Sequence, residues 1–124
     1  MMLLKNFYSI ISKQQATPQK YNVAIRIDAS HEIFNGHFPG NPVMPGVCMM
    51  QIIKEITEEI VERELVLQSL TNVKFMALIN PDHNPELDLE LEIITAENGL
   101  IKVKNITTFV DTVALKAAAT YRIA

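Results

Sequence analysis

The segment Phe34-Asn35-Gly36-His37-Phe38-Pro39-Gly40-Asn41-Pro42-Val43-Met44-Pro45-Gly46 sets one histidine in the middle of a stretch rich in glycine and proline. Proline removes backbone freedom and glycine lets the main chain come close to a ligand, so such a loop can hold an imidazole still. Pro45 suits the first position of a helix. The backbone N–H groups that follow, starting with Gly46, then have no carbonyl one turn back to bond. A fixed imidazole beside such donors fits removal of a proton α to a carbonyl: a base that titrates near neutrality, and N–H groups for the developing enolate. A loop histidine is by itself more often a surface or packing residue, so the spacing carries this reading rather than the residue type.

Other reactive side chains are weaker candidates. Cys48, the single cysteine, stands near the helix start, where a thiol can become nucleophilic, but a small buried hydrophobe is the stronger reading. Met44, Met49 and Met50 read as core or channel wall rather than a metal site. His31 and His83 have no ligand set nearby and read as exposed. Neither a metal-ligand spacing nor a phosphate-binding glycine loop occurs, so no metal and no nucleotide cofactor is expected.

The elements that must carry this loop follow from periodicity. Phe7 to Lys13 and Tyr21 to Asp28 read as strands, the second alternating Val23, Ile25 and Ile27 against Asn22, Ala24 and Arg26. A short helix competes for Leu3 to Ser12. From Val47 to about Leu67 no glycine or proline occurs and helix formers dominate. Met49, Ile52, Ile53, Ile56 and Ile60 share one side of that helix, and Gln51, Glu55, Glu58 and Glu62 form a polar stripe read as solvated. Its first turn, Val47-Cys48-Met49-Met50, is apolar all round and should be the more deeply buried end. Beyond Leu70 the pattern returns to strands: Val73, Phe75 and Ala77, then Leu87, Leu89, Leu91 and Ile93. Asn98-Gly99 marks a hairpin turn, a slip of phase near Asn105-Ile106 suggests a bulge, and Val113 to Ile123 alternates. The result is an α+β arrangement, a single domain over 1–124, with a sheet covering one side of a long helix.

Bulk properties narrow the function classes. A net charge of −3 argues against a nucleic acid as main partner. A lone cysteine cannot form an internal disulfide, which fits a reducing cytoplasm. The apolar start of the chain is too brief for a signal-peptide core, and no stretch approaches a membrane span, so no membrane partner is expected.

The run His37-Phe38-Pro39-Gly40-x-Pro42-Val43-Met44-Pro45-Gly46 resembles the signature loop of the 3-hydroxyacyl-[acyl carrier protein] dehydratases, and the likeness extends more weakly from about Tyr21 onward. The resemblance implies a hotdog fold, a long helix wrapped by a curved antiparallel sheet and paired as a dimer. It implies that His37 is the base on C2, that the Gly46 amide binds the thioester oxygen, and that the Val43 carbonyl orients the ring. The acyl chain would lie against Phe38, Val43, Met44, Pro45, Val47 and Met50. The family's acid, which handles the departing 3-hydroxyl from the helix of the other subunit, falls on Gln51 here; Glu55, one helical turn further on, is a candidate substitute for it, against which the solvated reading of the stripe is the stronger. The proline- and arginine-containing motif expected before the first long strand is missing, which points to a side pathway rather than housekeeping fatty acid synthesis.

Three functions follow. The first is dehydration of 3-hydroxyacyl thioesters of acyl carrier protein or coenzyme A by a homodimer. The second, prompted by Gln51, is a non-catalytic acyl-binding subunit or one half of a heterodimer with another hotdog chain. The third is an acyl thioesterase in which Gln51 positions water. In all three, activity or acyl binding should survive a chelator unchanged; a loss restored by one divalent metal would refute the metal-free reading.

Overall fold

A computed structural model describes residues 6–36 and 41–124. Strands β1 (Tyr8–Gln15) and β2 (Lys20–Ile27) form a hairpin, a 3-10 turn follows at Glu32–Phe34, and helix α1 runs over Gly46–Val61. Then come β3 (Leu65–Phe75), β4 (Glu86–Thr95), β5 (Ile101–Phe109) and β6 (Thr112–Ile123). All six strands form one sheet in the order β1-β2-β4-β5-β6-β3, antiparallel at every junction. This is the α+β, helix-in-sheet arrangement that the pattern implies.

One face of the sheet and one side of the helix make the core. Val23, Ile25 and Ile27 of β2, Leu87, Leu89 and Leu91 of β4, and Val103 of β5 point inward onto Met49, Ile52, Ile53 and Ile56. The outward positions of β4, Asp88, Glu90 and Glu92, alternate with them as a half-solvated antiparallel strand requires.

The helix is shorter than its composition suggests. It ends at Val61 because Glu62 turns left-handed at φ 58° with its N–H on the Glu58 carbonyl. The Glu58 side chain then accepts the N–H of Leu65 at 2.8 Å, which launches β3. Most helices that stop this way use glycine, so no sequence signal marked the place. At the other end Pro45 lies just before the helix rather than at its first position, its carbonyl accepting from Cys48 at 3.0 Å and Met49 at 3.3 Å. The first turn is also not buried all round. Cys48 and Met49 are buried, but Val47 is 76% exposed, since the sheet covers only one side.

Two further expectations change. The phase of β5 does not slip at Asn105: Asn105 and Thr107 keep the inward positions although they are polar. The irregularity falls instead where Thr107 pairs with Leu115 and Thr108 with Val113, leaving Ala114 as the extra residue of a bulge in β6. His31 is half-buried rather than exposed; its Nδ1 accepts the N–H of Ile33 at 3.1 Å and caps the 3-10 turn. The Asn98-Gly99 turn is present, with Gly99 at φ 84°. No helix among the described residues is long and apolar enough to cross a membrane.

Ile56 is fully buried at the centre of the helix face. Truncation to alanine should cost about 2–5 kcal/mol, read as a lower urea midpoint with an unchanged slope; a loss of less than about 1 kcal/mol would mean that this face is not packed as described.

Candidate active site

His37 and Phe38 lie outside the described residues, as do Pro39 and Gly40. The segments on both sides of them are pinned. On the N-terminal side Phe34 is buried and stacks on Phe7 at 5.5 Å between ring centroids, while His31 meets the same Phe7 edge-on at 5.1 Å. On the C-terminal side Pro42 and Met44 are buried, the Met44 N–H donates to the Ile79 carbonyl at 2.8 Å, and Asn80 Nδ2 donates to Asn41 Oδ1 at 3.1 Å.

A cleft of about 440 Å³ opens at the helix start. Met44, Gly46 and Met49 form one wall, and the chain leaving β3, Phe75 to Ile79, forms the other. The second wall is held to the sheet by the bulge in β6: the Ala114 carbonyl accepts from Met76 at 2.8 Å and from Ala77 at 3.3 Å. Gly46 lets the two walls close up, since a Cβ there would stand 2.8 Å from Phe75 Cζ. The cleft therefore joins apolar side chains to the N–H groups of a helix's first turn, a setting for an alkyl chain that ends in a polarised carbonyl.

Of the residues expected to meet substrate, Met44 and Gly46 line this cleft. Val43, Pro45 and Met50 are half-buried and Val47 is exposed, all outside its lining. Phe75, Met76, Ala77, Leu78 and Ile79 were missed. Their signal is five consecutive apolar residues before Asn80-Pro81, which a strand with one wet face would not show.

Gln51 lies one turn beyond Val47 and is half-buried. Its Nε2 donates to Glu55 Oε2 at 2.9 Å, and the Tyr8 hydroxyl donates to Glu55 Oε1 at 3.0 Å. Glu55, read from sequence as part of a solvated stripe, is instead 7% exposed, because β1 folds over that side of the helix. Burial, and after it the charge of Glu55, pushes the Tyr8 phenol far above its ordinary range, so it stays a donor. Burial also pushes the Cys48 thiol up, which leaves it protonated and supports the packing role over the nucleophilic one.

The Gly46 contact can be tested directly. Gly46→Ala must displace the Phe75 ring and should weaken binding of an alkyl thioester by roughly tenfold, a cost of the order seen for local overpacking. Gly46→Ala with Phe75→Ala should bind better than the two single losses sum to; strict additivity in that cycle would show that the two residues do not touch.

Comparison with known proteins agrees with this geometry. The profile of the ApeI-like family, described as ApeI dehydratase, matches residues 13–109. The 3-hydroxyacyl-[acyl-carrier-protein] dehydratase FabZ of Ligilactobacillus salivarius is 30% identical over 109 residues, covering 82% of this chain and 74% of that protein. FabZ of Bacillus subtilis is 31% identical over 102 residues, covering 77% and 71%. Among solved structures, the dehydratase heterocomplex ApeI:P from Xenorhabdus doucetiae superposes with a TM-score of 0.72 at 21% identity, over 92% of this chain and 96% of that one. The (R)-hydratase of A. caviae gives 0.63 at 10% identity, over 90% and 100%. These likenesses establish a hotdog fold, and the chain belongs to the ApeI-like dehydratase family as a divergent member of the 3-hydroxyacyl-[acyl-carrier-protein] dehydratases.

Proposed function

We propose that this chain converts 3-hydroxyacyl thioesters to 2-enoyl thioesters, with acyl carrier protein or coenzyme A as the thiol, using His37 as the base at C2. The observation that carries this is the cleft: an apolar slot lined by Gly46 at the helix start, where the N–H groups of the first turn would receive a carbonyl. The alkyl chain lies between Met44, Met49 and Phe75. The Gly46 N–H takes the thioester oxygen, which acidifies the C2 proton for His37. In this reading the Val43 carbonyl orients the imidazole.

The active unit in this reading is a dimer formed along β3. That strand is an edge of the sheet, and Val66, Leu67, Leu70, Val73 and Phe75 are exposed on it. Lys74 is its only charged residue. Long apolar edges of this kind are what proteins ordinarily protect by pairing. A second copy on β3 would bring His37 of one protomer to face Gln51 of the other. A second reading is favoured by Gln51 itself: paired with a different hotdog chain that keeps a carboxyl at the matching position, this chain would supply the loop and the acyl cleft, and its partner the acid.

Gln51 cannot give a proton to the leaving hydroxide. The wild-type homodimer should therefore be slow on ordinary acyl chains, and Gln51→Glu should raise dehydration by about 10²-fold, the lower end of the usual contribution of a positioned acid. His37→Ala should abolish turnover in both backgrounds. Dehydration of a short and a medium 3-hydroxyacyl thioester by the four proteins is the assay. A folded, dimeric Gln51→Glu variant that gains nothing would favour the partner-subunit reading.

A further inference from the structure

Glu55 is the one buried carboxylate among the described residues, and the dehydration just outlined leaves it without a task. Its partners define one. A carboxylate accepts hydrogen bonds and gives none, so an amide that bonds it must present nitrogen. The 2.9 Å contact with Glu55 Oε2 thus fixes the sense of the Gln51 carboxamide: Nε2 toward Glu55, Oε1 away from it. Glu55 cannot swing to release this grip, because the Tyr8 hydroxyl holds its other oxygen at 3.0 Å. Tyr8 belongs to β1, and β1 is paired with β2 from Tyr8 to Gln15, with one shift of register between Ile10 and Ser12. The orientation of one amide on the helix is therefore set by the sheet.

The consequence is chemical. Without Glu55 the amide could present its oxygen or its nitrogen to a ligand with little difference in energy. With Glu55 holding one of the two amide hydrogens, the end of the amide turned away from Glu55 is the carbonyl oxygen, an acceptor. A 3-hydroxyl has a proton for that acceptor, whereas a 3-oxo group has only lone pairs. We infer that Glu55 is a positioning residue that makes this site select 3-hydroxyacyl over 3-oxoacyl thioesters through the fixed Gln51 oxygen. This rests on the dehydratase reading and adds to it the discrimination between the substrate and its oxidised precursor, which differ by two hydrogens. Leaving a buried acceptor opposite another acceptor should cost the 3-oxo ligand roughly ten- to a hundredfold in affinity.

The test needs no turnover. Hydrolysis-resistant 3-hydroxyoctanoyl and 3-oxooctanoyl pantetheine amides are titrated calorimetrically into the full chain, wild type, Glu55→Gln and Tyr8→Phe. In parallel, the side-chain NH₂ signals of 15N-labelled glutamine are recorded, with Gln51 assigned by the signal lost in Gln51→Glu. The wild-type protein should bind the hydroxy ligand at least about tenfold more tightly and show a slowly exchanging Gln51 NH₂ pair. In Glu55→Gln, whose amide can both give and accept, the preference should fall to within about threefold and the NH₂ pair should lose its protection. Tyr8→Phe keeps the carboxylate and should fall between the two. Equal binding of both ligands by the wild type, or full preference retained in Glu55→Gln, overturns the inference and leaves the dehydratase reading standing. If neither ligand binds the wild type, the dehydratase reading itself falls and takes the selectivity with it.

Discussion

The contact between Gly46 and the Phe75 ring is the constraint on which the site depends. A Cβ at position 46 would stand 2.8 Å from Phe75 Cζ, closer than side-chain carbons come, so any residue but glycine must turn the Phe75 ring out of its place in the cleft wall. Neither wall is free to retreat. The helix start is tied through Met44 to Ile79, and the chain after β3 is tied through Met76 and Ala77 to Ala114. The helix start and the cleft wall are thus each anchored by backbone hydrogen bonds. Catalysis by a base and a pair of backbone donors demands such rigidity, since a displacement of about 1 Å can cost about 10²-fold in rate.

The same economy governs the buried polar groups. Thr57 donates back to the Ile53 carbonyl at 2.8 Å within its own helix. Thr107 donates to Asn105 Oδ1 at 2.8 Å, and Asn105 donates to the Glu90 carbonyl across the ladder at 3.3 Å. Those bonds are local and satisfy groups that the fold has covered. Glu55 differs from them. It is an acid rather than an amide or hydroxyl, it links a strand to a helix 47 residues away in sequence, and its second partner is Gln51, on which the resemblance puts the family's acid. A buried charge is costly to keep unless it is well bonded. Its placement beside Gln51 is better explained by the site than by stability.

The sequence showed the elements whose periodicity is regular and hid those set by distant partners. β2 and β4 could be read because their apolar residues alternate cleanly against polar ones. The inner face of α1 could be read because Met49, Ile52, Ile53 and Ile56 recur at helical spacing. The C-terminal end of α1 could not, because Glu62 in a left-handed conformation and the Glu58 side chain do the work that glycine usually announces. Asn105 and Thr107 looked like a break in phase, since polarity hid their inward position. The burial of Glu55 depends on Tyr8, and nothing local to residues 51–62 signals that β1 will fold over them. Of the loop read as chemistry from the order of its glycines, prolines and histidine, the structure places Met44 and Gly46 in the cleft, while His37 lies outside the described residues. The opposite wall of the cleft was not legible, because a strand that leaves its sheet keeps β-like composition.

The two edges of the sheet are treated unequally, and the inequality bears on the cleft. Both edges are irregular in register, but β1 carries Ser9, Ser12, Lys13, Gln14 and Gln15 outward, with Lys13 paired to Glu59 at 3.3 Å. Such side chains discourage strand addition. β3 carries Val66, Leu67, Leu70, Val73 and Phe75 instead, and the apolar surface runs on without interruption through Met76 to Leu78, which is 77% exposed. Phe75, Met76 and Leu78 are at once the end of the open edge and the wall of the cleft. Any chain that covers β3 therefore also changes what the cleft presents to a ligand. Binding of a ligand and binding of a chain at shared side chains cannot be independent: each must shift the other's affinity by the same factor. A chain paired along β3 and an acyl chain in the cleft would therefore share one linked equilibrium, with Phe75 as the residue common to both.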